Sequence, residues 1–387
     1  MSEQNNENKN EALRISKFEA NKDKYAAKYS KAYCQSFFRN ILTPISETWF
    51  RPELIGFENF PKRTNPDAPL IFFSNHSGNG FPWDAIVYIS KINSMNLAEN
   101  ESVRALISTD LTRYLCLNPF LVDDIWVKCG CINATPLNFE TVMHLNEYNV
   151  MIYPEGINGI GKGSNKAYQI QPLQLSFLRM ALKYKTDIVP FMTINAEYNC
   201  PLTITPKWLV KLARKLGLPF LPLGPIHICS FIFAPWLVYA TAPAQINFIM
   251  GKPVKLSELV NKPYEELKKE ELLELSEKIR ASLEQQIKEA NEVYGKKHYN
   301  IPTLLKAMRK NWKKFFIWWP PFWPFAITYF DVNYDEKVGD ASIKFSLWKL
   351  IKTLFKRPRV ISLFIPVWGW IVMIGKTIWQ VKVLKKK

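Results

Sequence analysis

The chain has 387 residues, 48% of them apolar or aromatic, and a mean hydropathy of −0.13; this excludes both an intrinsically disordered chain and a polytopic membrane protein. Of the net charge of +17, almost all sits in residues 296–387, which hold 19 Lys/Arg against four Asp/Glu and eight of the 13 Trp, while the first 295 residues are close to neutral. Cations interleaved with indoles suit an anionic lipid surface; no zinc-ligand spacing or helix-turn-helix pattern supports nucleic acid, which is not expected as a partner.

In chain order, residues 1–15 read as a polar, disordered leader without the apolar core of a secretory signal. A helix is predicted from Asp23 to Leu42, ended by Pro44. ELIGFENF (53–60) reads as a short strand and LIFF (70–73) as a second, after which SNHSGNGFPWD (74–84) leads into a helix with Pro82 at its start. VRALIS (103–108) is a strand, the text from LTRYLCL to IWVKC is helical in part, and PLNFETVMHLNEY is a helix. VMIY (150–153) is a strand that enters the loop YPEGINGIGKG (153–163). QPLQLSFLRMALKYK is an amphipathic helix, DIVPFMTI (187–194) a buried strand, PKWLVKLARKLG a helix capped by Gly217, and QINFIMGKPV a closing strand. Residues 263–295 form a charged helix rich in Glu–Lys pairs at helical spacing. Alternation of this kind predicts an α/β fold with a mixed or largely parallel sheet, whose ligand-binding loops leave the carboxyl ends of strands.

The tail has two apolar runs. FFIWWPPFWPFAITYF (315–330) carries three prolines, and VISLFIPVWGWIVMI (360–374) has 15 residues, against the roughly 20 that cross a bilayer. Extension to Trp379 nears that length, but a segment lying in one leaflet is expected over a span, and the interleaved charge favours lipid contact over core packing for these aromatics. LPFLPLGPIHICSFIFAPWLVYA (218–240), broken by four prolines, reads as a groove wall, a lipid contact or a buried loop. Six cysteines with a lone CxC at Cys129 and Cys131 read as buried thiols in a reducing, cytoplasmic setting.

His76 and Asp84 are the candidate chemistry. A neutral imidazole can take a proton from an attacking hydroxyl while a carboxylate on its other nitrogen fixes the tautomer. The intervening glycines and proline let the two meet; Asp84 also suits the first turn of a helix on dipole grounds alone. The second loop offers backbone N–H groups and the cation Lys162 to an anion, or is an ordinary turn with a solvated lysine. It is not a nucleotide-binding loop, and HExxH and G-x-S-x-G are both absent.

Together, NHSGNGFPWD, YPEGINGIGKG and DIVPFMTI resemble the glycerolipid acyltransferase family, in its branch that reads NHSGG before a more distant proline and aspartate, over about residues 50–255. The resemblance implies an αβ-layered acyltransferase domain and transfer of a fatty acyl group from acyl-CoA or acyl carrier protein to a lysolipid hydroxyl, with the thioester as co-substrate and no further cofactor or metal. It implies His76 as general base and Asp84 as its orienting acid. Asn75, Gly78, Gly80, Glu155, Gly156, Asn158, Gly159 and Lys162 are implied on the substrate, with backbone N–H groups around Gly78–Gly80 receiving the oxyanion and Pro190 near the acyl donor. Asn158 stands where the family often has arginine, and CINATPLNFE lacks the usual one; Lys162 and Lys166 are the expected substitutes. An acceptor without phosphate, or a non-catalytic lipid-binding module, are the alternatives. The chain thus divides into a leader and helix (1–50), the acyltransferase domain (51–262), the charged helix (263–295) and a basic, Trp-rich membrane-associating region (296–387), expected at the cytoplasmic face of a membrane and in contact with its anionic lipid.

Overall fold

The computed structural model describes residues 2–76, 80–95, 97–98, 101–113, 117–118, 122–215, 220–260, 262–341, 347–373 and 375. The fold is α/β around a seven-stranded mixed sheet: β1 (Glu53–Ile55), β2 (Ile71–Ser74), β3 (Val103–Ile107), β4 (Ile132–Asn133), β5 (Asn149–Ile152), β6 (Ile188–Ile194) and β7 (Asn247–Met250), in the order β1-β7-β6-β2-β5-β3-β4. From β6 to β4 the strands are parallel, and β7 turns antiparallel to β6 while pairing parallel with β1.

β2 is buried along its whole length because both faces of the sheet are covered. Phe72 joins a cluster on one face with Val87, Tyr88 and Ile92 of the helix Trp83–Ile92. Its neighbours Ile71 and Phe73 join the other face with Phe177, Leu178 and Ala181 of the helix Ser176–Lys183 and with the apolar stripe of Lys269–Tyr294. The chain leaving β2 therefore crosses over one face and the chain leaving β5, its neighbour, over the other. That reversal opens a crevice at the carboxyl ends of β2 and β5, where such sheets bind ligands. Both glycine-rich loops start there.

Four expectations are corrected. Residues 2–26 form one helix where a disordered leader is expected. Its second half docks on the helix Pro136–Leu145 through the buried Phe18, through Asn21 to Asn138 and Thr141, and through the Lys22–Glu147 ion pair, and a docked nucleus lets helix propagate outward. The helix expected over 23–42 breaks at 27–30, where Ser30 caps a new one at Lys31. Pro44 does not end it: the chain widens into π-helical turns at Phe38–Leu42 and Ser46–Phe50, and Thr43 N–H bonds the carbonyl of Phe38, five residues back, so the helix passes a residue that has no N–H to give. Lastly, the aromatics of 315–330 are largely core. Trp318 and Trp323 are fully buried, and Trp323 packs on Trp83 with ring centroids 4.7 Å apart. Side chains from Tyr33 to Met373 thus share one apolar cluster. Among the described residues no helix is long and apolar enough to cross a membrane; the apolar run from 360 is broken by a turn at 363–367 between two short helical pieces. The Gly217 cap, Ile374 and residues 376–379 lie outside the described residues.

Candidate active site

β2 ends in a fixed position. The side-chain amide of Asn75 donates to the carbonyl of Thr193 (3.1 Å) and accepts from its N–H (2.9 Å), and Ser74 meets the Thr193 hydroxyl at 2.9 Å. This extends the pairing with β6 by one residue in side-chain form. The backbone then turns, and His76 N–H donates to Glu155 Oε1 at 2.8 Å. Glu155 follows β5, and its Oε2 accepts from Gln171 N–H at 2.7 Å. One buried carboxylate thus ties the His76 turn to the loop after β5.

His76 Nδ1 lies 2.8 Å from Asp84 Oδ2, with Asp84 fully buried in the first turn of its helix and its Oδ1 accepting from Ala85 N–H at 2.8 Å. The helix N-terminus favours the carboxylate, and the carboxylate selects the tautomer with hydrogen on Nδ1, leaving Nε2 as the proton acceptor. Tyr153, the last residue before the Pro-Glu-Gly turn, stacks on the imidazole with centroids 4.2 Å apart and planes 17° apart. Burial and the nearby Asp84 charge push the Tyr153 phenol well above its ordinary range, so it serves as a neutral platform. His76, Tyr153 and Gly156 line an apolar cavity of about 190 Å³. It shares Phe81, Ala85, Ile107 and Trp126 with a second apolar pocket of about 70 Å³ that Cys129 and Cys131 also line. On the other side Ser108, Tyr153, Gly156 and Ile157 also border a more polar cleft of about 570 Å³ that contains Gln174, Ser176 and Arg179.

The structure separates the other sequence-predicted residues into those at the site and those beneath it. Gly80 and Gly156 line the cavity. Gly80 has φ 125°, and a Cβ there would stand 2.7 Å from His227 Nε2, so only glycine passes this point. Gly78 lies outside the described residues. Asn158 is exposed on the turn Ile157–Ile160. Three expectations of substrate contact are corrected. Asn75 spends its amide on Thr193. Glu155 spends both carboxylate oxygens on backbone N–H groups; burial pushes its pKa up, opposed by Lys162 and those two N–H groups. Lys162 is no solvated headgroup ligand: its side chain is fully buried, 3.2 Å from Glu197 and 3.1 Å from the Gln169 carbonyl, where it offsets two buried carboxylates. Burial likewise pushes Glu197 up, against the pull of Lys162. Pro190 sits in mid-strand against Gly251 and borders neither cavity nor cleft. Lys166 is exposed on the turn Ser164–Lys166. Sequence reasoning missed Tyr153, although a strand-end position beside Pro-Glu-Gly was the signal for it. It also missed Trp370 and Met373, which line the cavity from the far end of the chain.

Among the described residues no cluster of His, Cys, Asp and Glu could hold a metal. Burial pushes the Cys131 thiol up to about 12 and Cys129 well above its ordinary value, which makes both poor nucleophiles at neutral pH. His227, buried in the helix Pro225–Ile232, has no partner on either ring nitrogen among the described residues, and burial lowers its pKa from 6.5 to about 4. Between those values the unfolded chain binds a proton that the folded chain refuses, so this group's contribution is intact at neutral pH and is lost as pH falls from 6.5 toward 4. The expected loss is about 3 kcal/mol by the lower limit. Denaturant titrations of wild type and His227→Leu at neutral pH and near pH 4 should differ by that amount in their acid sensitivity; parallel pH profiles would show that the ring is solvated or partnered.

No family model matches the chain, and no curated protein matches it.

Proposed function

We propose that this chain is an acyltransferase of the glycerolipid type. It moves a fatty acyl group from acyl-CoA or acyl carrier protein to the hydroxyl of a lysolipid at the cytoplasmic face of a membrane, and its layers correspond to the αβ-layered domain of that family. The observation that carries this reading is the His76–Asp84 contact of 2.8 Å at the wall of an apolar cavity. An apolar cavity of this kind suits a hydrocarbon chain, and the second apolar pocket, which shares Phe81 and Trp126 as walls, extends it. The polar cleft beyond Gly156 suits the polar end of donor or acceptor, with Arg179 as its cation.

The chemistry needs no covalent enzyme intermediate, because a thioester is already activated. The acceptor oxygen attacks the thioester carbonyl as His76 Nε2 takes its proton, and the carbonyl oxygen becomes an oxyanion. The C–S bond then breaks, the ester forms, and the imidazolium returns the proton to the departing thiolate. Asp84 stabilises the imidazolium while it lasts, and Tyr153 holds the ring in plane. Gly80 stands at the cavity wall, and its backbone N–H is the candidate for the oxyanion contact.

A second reading, an acceptor without phosphate, is favoured by the engagement of Lys162 with Glu197, which removes the loop's nearest cation from ligand binding. Purified protein incubated with a labelled acyl thioester and a panel of lysophospholipids, diacylglycerol and amine-bearing lipids separates the two readings by product. No acyl product from any acceptor, alongside retained lipid binding, would favour a silent lipid-binding module. Asp84→Asn tests the dyad within the same assay. It leaves the shape intact but permits the wrong tautomer, so the turnover number should fall by about 10²- to 10⁴-fold with little change in acceptor KM.

A further inference from the structure

The sequence points to the basic tail as the membrane surface and leaves 218–240 as a groove wall, a lipid contact or a buried loop. The structure divides that tail: Trp318 and Trp323 are core, whereas Trp348 (72% exposed), Phe355 (81%) and Trp368 (56%) point outward. A second set of exposed apolar side chains lies in a different part of the sequence. Trp208 (63%) stands on the basic helix Lys207–Lys215, and Ile232 and Phe233 (61%) end the helix Pro225–Ile232. These two regions touch. The Trp370 indole stacks on Phe231 with centroids 4.7 Å apart and donates to the Ser230 carbonyl at 2.8 Å, and Trp236 N–H donates to the Leu363 carbonyl at 3.1 Å. Both also contribute to the cavity beside His76, through Phe220, Leu221 and Pro222 from one region and Trp370 and Met373 from the other.

We propose that residues 202–215, 220–233 and 347–373 form one composite face that docks on an anionic lipid leaflet, with the His76 cavity opening to that face so that lipid enters it from the membrane. Charge selects the occupant. No Asp or Glu occurs between Glu197 and Glu258 or after Asp340, while Lys207, Lys211 and Arg214 on one helix and Lys349, Lys352 and Lys356 on another rim the exposed aromatics. Indoles at headgroup depth with cations beside them fit a leaflet bearing anionic lipid, and like charge on every rim opposes pairing with a second copy of the chain. Lipid entry into the cavity rests on the proposed acyl transfer; docking does not.

The test is flotation of the full chain with vesicles of phosphatidylcholine and with vesicles that also contain phosphatidylserine. Wild type should bind the anionic vesicles more tightly. Trp208→Glu combined with Trp368→Glu should lower that binding at least about tenfold, without moving the thermal midpoint, since both side chains are exposed. Val293→Glu, on an exposed position of the helix that covers the opposite sheet face, should bind like wild type. Equal binding by the double variant and wild type overturns the proposal. So does a dimer of the free chain that the same double variant abolishes, or tighter retention on DNA than on anionic vesicles at matched salt. Turnover of water-soluble, short-chain thioester and acceptor is followed on the same wild-type preparation. Vesicle binding as expected without turnover sinks the acyl-transfer reading and leaves docking standing; turnover without vesicle binding does the reverse.

Discussion

Replacing His76 with alanine is expected to lower acyl transfer by about 10²- to 10⁴-fold, the usual worth of a positioned general base. The fold should survive. The backbone N–H of residue 76 keeps its bond to Glu155, and the lost side chain faces a cavity on one side and Tyr153 on the other. The buried Asp84 complicates a simple truncation, because the imidazole is one of its hydrogen-bond partners. His76→Asn serves as the control: its amide nitrogen stands where Nδ1 does and can still donate to Asp84, but it accepts no proton at neutral pH. Both variants should be inactive to a similar degree, with the asparagine variant nearer wild type in thermal stability. The measurement is initial velocity against pH with a saturating thioester donor, beside a melting curve. An asparagine variant with near wild-type velocity would remove proton transfer from the role of this residue.

Gly159→Ala is expected to have the second-largest effect, although Gly159 meets no substrate in the proposed mechanism. A Cβ built at Gly159 would stand 2.5 Å from Glu155 Cβ and 2.9 Å from His76 Cβ. Neither neighbour is the far end of a flexible side chain. Both are anchored close to the backbone, and Glu155 is pinned by two N–H groups. One methyl group must therefore push the His76 turn away from the loop after β5. Overpacking of this kind costs about 1–3 kcal/mol, and a displacement approaching 1 Å at a reacting group can cost about 10²-fold in rate. Loss of activity with a lowered melting temperature is the expected pattern, read from initial velocity and a melting curve. Wild-type turnover in Gly159→Ala would mean that the two loops are not held against each other.

The strands and the dyad were legible in the sequence because both are local. Four-residue apolar runs broken at once by polar residues, proline or glycine are the grammar of a strand leading into a turn, and LIFF-SNH and VMIY-PEG obey it. What could not be read was burial. Lys162 in a glycine-rich loop has the pattern of an anion ligand; only the packing of Glu197 beside it, from another part of the chain, turns it inward. Glu155 has the pattern of a substrate ligand until Gln171 N–H closes on its second oxygen. The same limit governs the tryptophans. Trp323 and Trp368 sit among similar prolines and aromatics, yet one packs on Trp83 and the other faces out. Pattern alone does not tell an indole that completes a core from one that seeks lipid, because both are apolar bodies with one polar tip. Pro44 was misread for a related reason. A missing donor ends an α-helix only if the helix keeps its pitch, and here the pitch widens.

The contact between Trp83 and Trp323 sets the order in which the protein can mature. Trp83 opens the helix that carries Asp84, and its partner leaves the ribosome about 240 residues later, roughly 12–50 s at common rates of synthesis. Until then the nascent chain carries the most aromatic part of its interior uncovered, and the dyad lacks its backing. The proposed acid–base chemistry is in this way withheld until Trp323 has been made, and the waiting intermediate is a natural client for chaperones that bind exposed aromatic surface.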